Sequence, residues 1–298
     1  MINLQSLKAL VEVERVSSFS LAAERLGLTL SAISVQMKTL ERALGLPLFD
    51  RTSRPPAMTP EARRVAAHAR TILAELEAMQ ALGAGADRLT GSYRIGFIPT
   101  AVVRLMPQFL TAAATEHPGA AFEVESGLTT DLLPRIRRGE LDAALVTEPA
   151  SEEPGLHFTP LYTERFALAV PARARRWNLA RCAGELVQIQ LVRPASAIDA
   201  LVTRRFTELG IRCATTQRLS SVEAAMECIN AGIAFAVLPE PDARRYARDA
   251  VVRPVAEFPF SRRLGLLIRA DGPMQSRIEA LAALFPAEAA TSLPAHKR

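Results

Sequence analysis

The segment SLAAERLGLTLSAISVQMKTLERALG, residues 20–45, constrains the fold more than any other stretch, because it predicts two short helices pinned together at a tight turn. Leu21, Ala22 and Leu26 give the first helix an apolar side. Ala23 is small enough for a second helix to approach, Gly27 can take the left-handed conformation that ends the first helix, and Ile33 fills the angle between the two. Thr29 stands where the second helix needs an N-cap and Gly45 where it needs a stop. Ile33, Met37, Leu40 and Leu44 recur at steps of four and three, so one face is buried. The opposite face carries Ser31, Ser34, Val35, Lys38 and Arg42. Short hydrogen-bonding groups at the start and cations further along suit a helix whose beginning meets base edges while its flank meets phosphates. An ordinary helical hairpin has the same small residues, so the next segment decides between the two.

Residues 48–59, LFDRTSRPPAMT, read as two very short strands around a proline-stiffened turn with Arg51 and Arg54 at its tip. This is the pattern of a wing. Guanidinium forks there would lie along the sugar-phosphate backbone or enter the minor groove. The expected DNA contacts are therefore Thr29, Ser31, Ala32, Ser34, Val35, Lys38, Arg51 and Arg54.

Phe19-Ser20, Ala22-Ala23-Glu24-Arg25-Leu26, Ser31-Ala32-Ile33-Ser34, Leu40-Glu41, Leu44-Gly45, Leu48-Phe49-Asp50-Arg51 and Thr59-Pro60 fall in one register. Together they resemble the DNA-binding domain of a LysR-type transcriptional regulator, over about sixty residues. Three positions depart from that family's pattern. Leu30 stands where a glutamine is common, Val35 where a longer polar or basic residue is frequent, and Ala62 where a glycine is usual. Leu30 and Val35 favour contact with thymine methyls over hydrogen-bonded readout.

A chain of 298 residues with 49% hydrophobic and 22% charged side chains is long enough for more than one packed domain. The net charge of +5 favours polyanionic partners only weakly, and clusters such as Arg135-Arg137-Arg138, Arg173-Arg175-Arg176 and Arg204-Arg205 read as solvated surface. No apolar run approaches the roughly twenty residues of a membrane span. Met1-Ile2-Asn3-Leu4 opens into an amphipathic helix without the features of an export signal, so a cytoplasmic location with no membrane partner is expected.

After the wing, Thr59-Pro60-Glu61 supplies an N-cap, a proline at the first helical position and an acidic first turn. Met58, Ala62, Val65, Ala69, Ile72, Leu76 and Met79 then follow steps of four and three, a seam that a partner helix would cover. Val65, Ala69, Ile72, Leu76 and Met79 are the expected dimerisation residues, and Gly83-Ala84-Gly85-Ala86 reads as a hinge. A two-fold dimer presents two recognition helices to an interrupted palindrome in double-stranded DNA.

From Gly91 the pattern changes to apolar strands alternating with helices, which predicts α/β units around mostly parallel sheets. Strands are expected over 93–98, 121–126, 143–147, 166–170, 186–192, 234–238 and 264–268, with helices over 102–116, 131–138, 197–209 and 222–231. In such sheets ligands lie beyond the carboxyl ends of strands, where helix N-termini point. The turns there hold Pro99 and Thr100, Thr129 and Thr130, Pro194 and Ser196, and Ser221 with Val222. A hydroxyl at a helix start is first of all a capping device, but four such turns at corresponding places point to a shared pocket. Arg193 beside it would pair a carboxylate.

Gly91-Ser92-Tyr93-Arg94-Ile95-Gly96, Gly139-Glu140-Leu141-Asp142-Ala143-Ala144-Leu145 and the run from Gly232-Ile233 to Leu238-Pro239-Glu240 resemble the effector-binding domain of the same family, a two-lobed fold similar to periplasmic binding proteins. The resemblance implies that Thr100 and Thr130 face a cleft from one lobe, Ser196 and Val222 from the other, with crossovers near Thr163 and Leu264. The implied organisation is a multidomain α+β chain: a winged helix-turn-helix over 1–59, a linker helix and hinge over 60–86, and an effector domain over 87–298. Lobe I then takes about 91–162 and 265–298, and lobe II about 163–264. The implied mechanism is binding of a small-molecule inducer between lobes, a shift in how dimers pair within a homotetramer, and altered DNA bending or RNA polymerase contact.

Two other classes are weighed against this one. An enzyme is disfavoured, because His68, His117, His157 and His296 are scattered and no nucleophile elbow, phosphate loop or metal-spaced cluster is present; neither metal nor cofactor is expected. A thiol-based redox sensor of the same fold is the alternative. Cys182, Cys213 and Cys228 are an odd set at spacings unlike a metal site, and Cys213 with Cys228 is the pair that would meet across the second lobe, as the resemblance to peroxide-sensing relatives implies.

Overall fold

Small residues at the helix crossings and a wing clamped by one carboxylate build the N-terminal unit. A computed structural model describes residues 2–50, 52, 56–81, 88–191 and 197–286. Helices α1 (Leu4–Val16), α2 (Phe19–Arg25) and α3 (Leu30–Leu44) precede the two-stranded wing, β1 (Phe49–Asp50) and β2 (Ala57–Met58), and the long helix α4 (Pro60–Ala81). Ala22, Ala23, Ile33, Met37 and Leu40 are all buried, so α2 and α3 cross closely as their sequence predicts. Gly27 and Gly45 adopt φ of +64° and +67°, the left-handed conformation that ends each helix. Leu21 departs from the expected apolar side and is 39% exposed.

The wing is fixed to α3 by chemistry rather than by area. Glu41 of α3 accepts the backbone N–H of Leu48 at 2.9 Å and of Phe49 at 3.3 Å. Thr59 locks the other side: its hydroxyl donates to the Pro47 carbonyl at 3.0 Å and accepts from Ala62 N–H at 3.1 Å, capping α4. Ala62, Ala66 and Ala69 of α4 then join Leu7, Leu10 and Val13 of α1 in the core of this unit.

The remainder is a mixed sheet with helices on its faces. In chain order it holds β3 (Gly91–Phe97), α5 (Pro99–Glu116), β4 (Ala120–Ser126), α6 (Thr129–Arg137), β5 (Ala143–Thr147), β6 (Leu156–Pro171), α7 (Leu179–Glu185), β7 (Val187–Leu191), α8 (Ala197–Glu208), β8 (Thr215–Leu219), α9 (Val222–Asn230), β9 (Ala234–Pro239), α10 (Glu240–Tyr246), β10 (Ala250–Pro254), β11 (Ser261–Arg269) and α11 (Ile278–Ala283). The strand order is β4-β3-β5-β11-β6-β9-β7-β8, with β10 also on β6. Parallel pairs β3–β4 and β3–β5 form one lobe and β7–β8 and β7–β9 the other. The antiparallel strands β6 and β11 run between them. Opposite Pro160 their register shifts between Leu264 and Gly265, and a Cβ on Gly265 would stand 2.2 Å from the Thr159 carbonyl, so only glycine permits the approach.

Phe97, Phe109 and Phe285 centre the first lobe's core. The second lobe has a core on each face of its sheet. Phe235 and Val237 pack on one side with Phe166, Leu179 and Phe206, and Ala234, Ala236 and Leu238 on the other with Val222, Met226 and Ile229.

Candidate functional site

The N-terminal half of α3 stands open to solvent. Leu30 is 50% and Val35 61% exposed, and Ser31 and Lys38 are exposed while Ala32 is half-buried. Thr29 caps the helix by accepting from Ala32 N–H at 3.1 Å and shares a hydrogen bond with the Ser31 hydroxyl at 2.9 Å. The Ser34 hydroxyl donates back to the Leu30 carbonyl at 2.9 Å, which leaves its lone pairs facing outward. Lys38 and Arg42 form no ion pair among the described residues. A groove of about 810 Å³ runs between this face and the wing, lined by Ser18, Ser20, Leu30, Ser34, Lys38 and Met58. Arg51 and Arg54 lie outside the described residues. At the base of the wing Thr52 donates twice to Asp50, at 2.8 Å from its N–H and 2.6 Å from its hydroxyl, and these bonds hold the carboxyl below its ordinary value.

The seam on α4 divides in two. Ala69 is 1% exposed in the N-terminal core and is covered by α1 of the same chain rather than left for a partner, while Val65 is half-buried at the edge of that core. The heptad pattern missed this because α1 supplies the covering apolar face. Ile72 is 49% and Met79 66% exposed, with Leu76 half-buried. The residues 83–86 read as a hinge lie outside the described residues.

Arg262 links the start of α5 in the first lobe to the cavity wall that holds Val222 in the second. Residues Ile98 and Leu128 precede α5 and α6 without any side-chain cap, so the hydroxyls of Thr100, Thr129 and Thr130 are not used as caps. The hydroxyls of Thr129 and Thr130 make no hydrogen bond among the described residues, while that of Thr100 accepts from Arg262 Nη2 at 3.4 Å. Pro99 is exposed as the first residue of α5. Ser221 fills the capping role that a hydroxyl at a helix start predicts: it caps α9, accepting from Ala224 N–H at 3.2 Å. Val222 is buried and lines a cavity of about 20 Å³ with Phe166, Ile189, Val202, Val237 and Arg262. Arg193, Pro194 and Ser196 lie outside the described residues. A larger hollow, about 1060 Å³, opens under the loop 148–155, but its Glu148 and Glu153 are already paired with Arg263 and Arg137. The small cavity reaches the start of α5 only through Arg262, which lines it and donates to Thr100.

Sequence reasoning missed the strongest charges at this cleft. Arg262 of β11 donates to Glu164 of β6 at 2.7 Å and to Asp242 of α10 at 2.8 Å, and Arg104 of α5 pairs with Glu164 and approaches Asp242 at 4.0 Å. Glu164, Asp242 and Arg262 have side chains no more than 3% exposed. Two guanidiniums and two carboxylates cancel, so the cluster ties α5 of one lobe to α10 of the other without offering net charge to a ligand. The one available signal was a lone glutamate within the run YTERFALAV.

The thiols avoid the cleft. Cys182 is buried, Cys213 packs with the core on its own side of the second lobe's sheet, and Cys228 packs with the core on the opposite face. Cys213 and Cys228 therefore do not meet across the lobe. Burial pushes the Cys182 and Cys213 thiols up.

Residues 86–290 match the family model of the LysR substrate binding domain, and residues 4–63 that of the bacterial regulatory helix-turn-helix protein, lysR family. A probable hydrogen peroxide-inducible genes activator of Mycobacterium avium is 30% identical over 94% of this chain and 92% of its own length. The transcriptional regulator CbbR of Rhodospirillum rubrum is 28% identical, covering 97% of each. Among solved structures, a full-length OxyR variant from Pseudomonas aeruginosa superposes with a TM-score of 0.70 at 26% identity, covering 95% of this chain and 94% of that one. CbnR complexed with its target DNA shares the fold, with a TM-score of 0.59 at 20% identity over 95% of this chain and all of that one.

Proposed function

The chain belongs to the LysR-type family of transcriptional regulators, proteins that bind DNA and small-molecule effectors, and from that premise we propose how its own residues divide the work. The exposed first turns of α3 enter the major groove, with Ser31, Ser34 and Val35 at base edges, Thr29 and Ala32 beside the backbone, and Lys38, Arg51 and Arg54 on phosphates. The observation that carries this reading is the groove between α3 and the wing, lined by Lys38 without an ion-pair partner among the described residues. Lys38→Ala and Arg51→Ala should each weaken binding to a duplex selected by the protein from a random pool, and lower the slope of log affinity against log salt by about one. Equal binding by parent and variants across the salt range would remove these residues from the interface.

The effector occupies the cleft between lobes, against Pro99, Thr100, Thr129, Thr130 and Val222, with Arg193, Pro194 and Ser196 from the facing turn and Ser221 holding that wall in shape. A cavity of about 20 Å³ holds a water and not an organic ligand, so binding needs the lobes to part. A ligand that fits only the parted arrangement shifts the population toward it. The uncapped starts of α5 and α6 favour a small organic anion such as a carboxylate. A calorimetric titration against a panel of such acids tests this, and heats no larger than dilution throughout would count against it. Ile72, Leu76 and Met79 pair two copies, dimers assemble into a tetramer on an interrupted palindrome, and the parted state changes DNA bending or polymerase contact.

The relatives named for peroxide induction raise thiol sensing as a second reading. The placement of Cys213 and Cys228 on opposite sheet faces, with the Cys213 thiol pushed up by burial, favours ligand control instead. DNA binding that changes on peroxide treatment, and no longer does so in Cys213→Ser, would reverse that preference.

A further inference from the structure

Helix α6 reaches from the cleft to the linker helix. Its first turn carries Thr129 and Thr130, and the turn that closes it carries Gly139. There the Gly139 carbonyl accepts from Arg70 Nη2 of α4 at 2.9 Å, and a Cβ on Gly139 would lie 3.5 Å from the Ala67 Cβ. The other terminal nitrogen of Arg70 pairs with Glu14 of α1. Arg94 of β3 approaches the same Glu14 carboxylate at 3.6 Å. Its backbone is tied to Asp142, donating to that carboxylate at 2.8 Å and accepting Asp142 N–H at 2.9 Å. Three parts of the chain thus meet at one guanidinium: a helix of the winged domain, the linker helix and the first lobe.

Glu14, Arg70 and Arg94 are each no more than 16% exposed, so the contact is less screened than a surface ion pair. Among the described residues, no acceptor reaches the buried Nε of Arg70. A buried donor left unmet costs free energy in the closed contact. We propose that Glu14, Arg70 and the Gly139 carbonyl form a latch through which α6 reports the state of the cleft to the winged domain of the same protomer. The latch rests on the reading of the cleft as the effector site and of α3 as the DNA reader.

Coupling between two sites is reciprocal, so DNA held by α3 must alter α6 if the cleft alters the reader. The test therefore needs no effector. Hydrogen exchange is followed on the full chain with and without a duplex that the protein selects from a random pool. The expected result is protection over α3 together with a change of at least about fivefold in exchange over residues 129–141, the lower end of allosteric coupling. Arg70→Lys keeps a cation for Glu14 but loses the fork that reaches both Glu14 and the carbonyl, and should abolish the change at 129–141 while α3 stays protected. Glu14→Gln, which leaves Arg70 in place, should reduce it in the same direction and serves if the lysine variant does not fold. Protection of α3 with residues 129–141 unmoved in the parent, or a change that persists in both variants, overturns the latch alone. An unprotected α3 overturns the DNA-reading premise and the latch with it.

Discussion

Glu41 shows how a single carboxylate sets the geometry of a surface. By accepting from Leu48 and Phe49 it fixes where the wing leaves α3. Glu41→Ala should lower stability by about 1–3 kcal/mol, read by urea denaturation, because two half-buried N–H groups lose their acceptor. Residues whose role is local were legible: Gly27 and Gly45 as turns, Thr29 as a cap and Ile33 at the crossing each depend on neighbours within a few positions. Leu21 was not, since nothing local says which side of a seven-residue helix its partner covers. The thiols belong to this scale as well. With burial pushing Cys182 and Cys213 up, both should react slowly with iodoacetamide at neutral pH in the folded chain and rapidly once it is unfolded, as counted by mass spectrometry.

Among the elements, α4 changes partner along its length. Ala69→Glu would place a charge in the core shared with α1 and should unfold the winged domain, whereas Met79→Glu should leave it folded and reduce self-association in sedimentation velocity. Helix α6 is held by charge: Arg135 pairs with Glu125 of β4, and Arg135 and Arg138 with Glu140, so arginines that read as solvated surface are tied down. The Arg135 hydrogen bond holds the Glu125 carboxyl below its ordinary value of 4.5. A carboxyl with a lowered folded pKa contributes stability that is complete above 4.5 and lost as pH falls through the lowered value. The melting difference between the parent and Glu125→Gln should thus be full at neutral pH and close in acid. Strands with an apolar rhythm, such as β3 and β9, were legible; β8 was not, because Thr215 to Gln217 and Arg218 on this edge strand are exposed and show no alternation.

For the whole molecule, the charge cluster at Arg262 joins residues that the chain keeps far apart: Glu164 and Arg262 are separated by 98 positions. No local pattern announces such a pair, which is why the helix starts that follow the strands could be read and the buried charges beside them could not. Arg262→Ala should cost about 3–5 kcal/mol in urea unfolding, because Glu164 and Asp242 would be left in the interior facing one cation instead of two. The path of β6 and β11 has a consequence for biosynthesis. Strand β11 is made late, yet it sits in the middle of the sheet between β5 and β6. On the ribosome the first lobe must wait with both of those edges bare while the entire second lobe emerges and folds as a nested insert. Closing so long a loop is slow, and bare edges are templates for aggregation. A nascent chain released before Ser261 therefore yields insoluble product, not half of a working regulator.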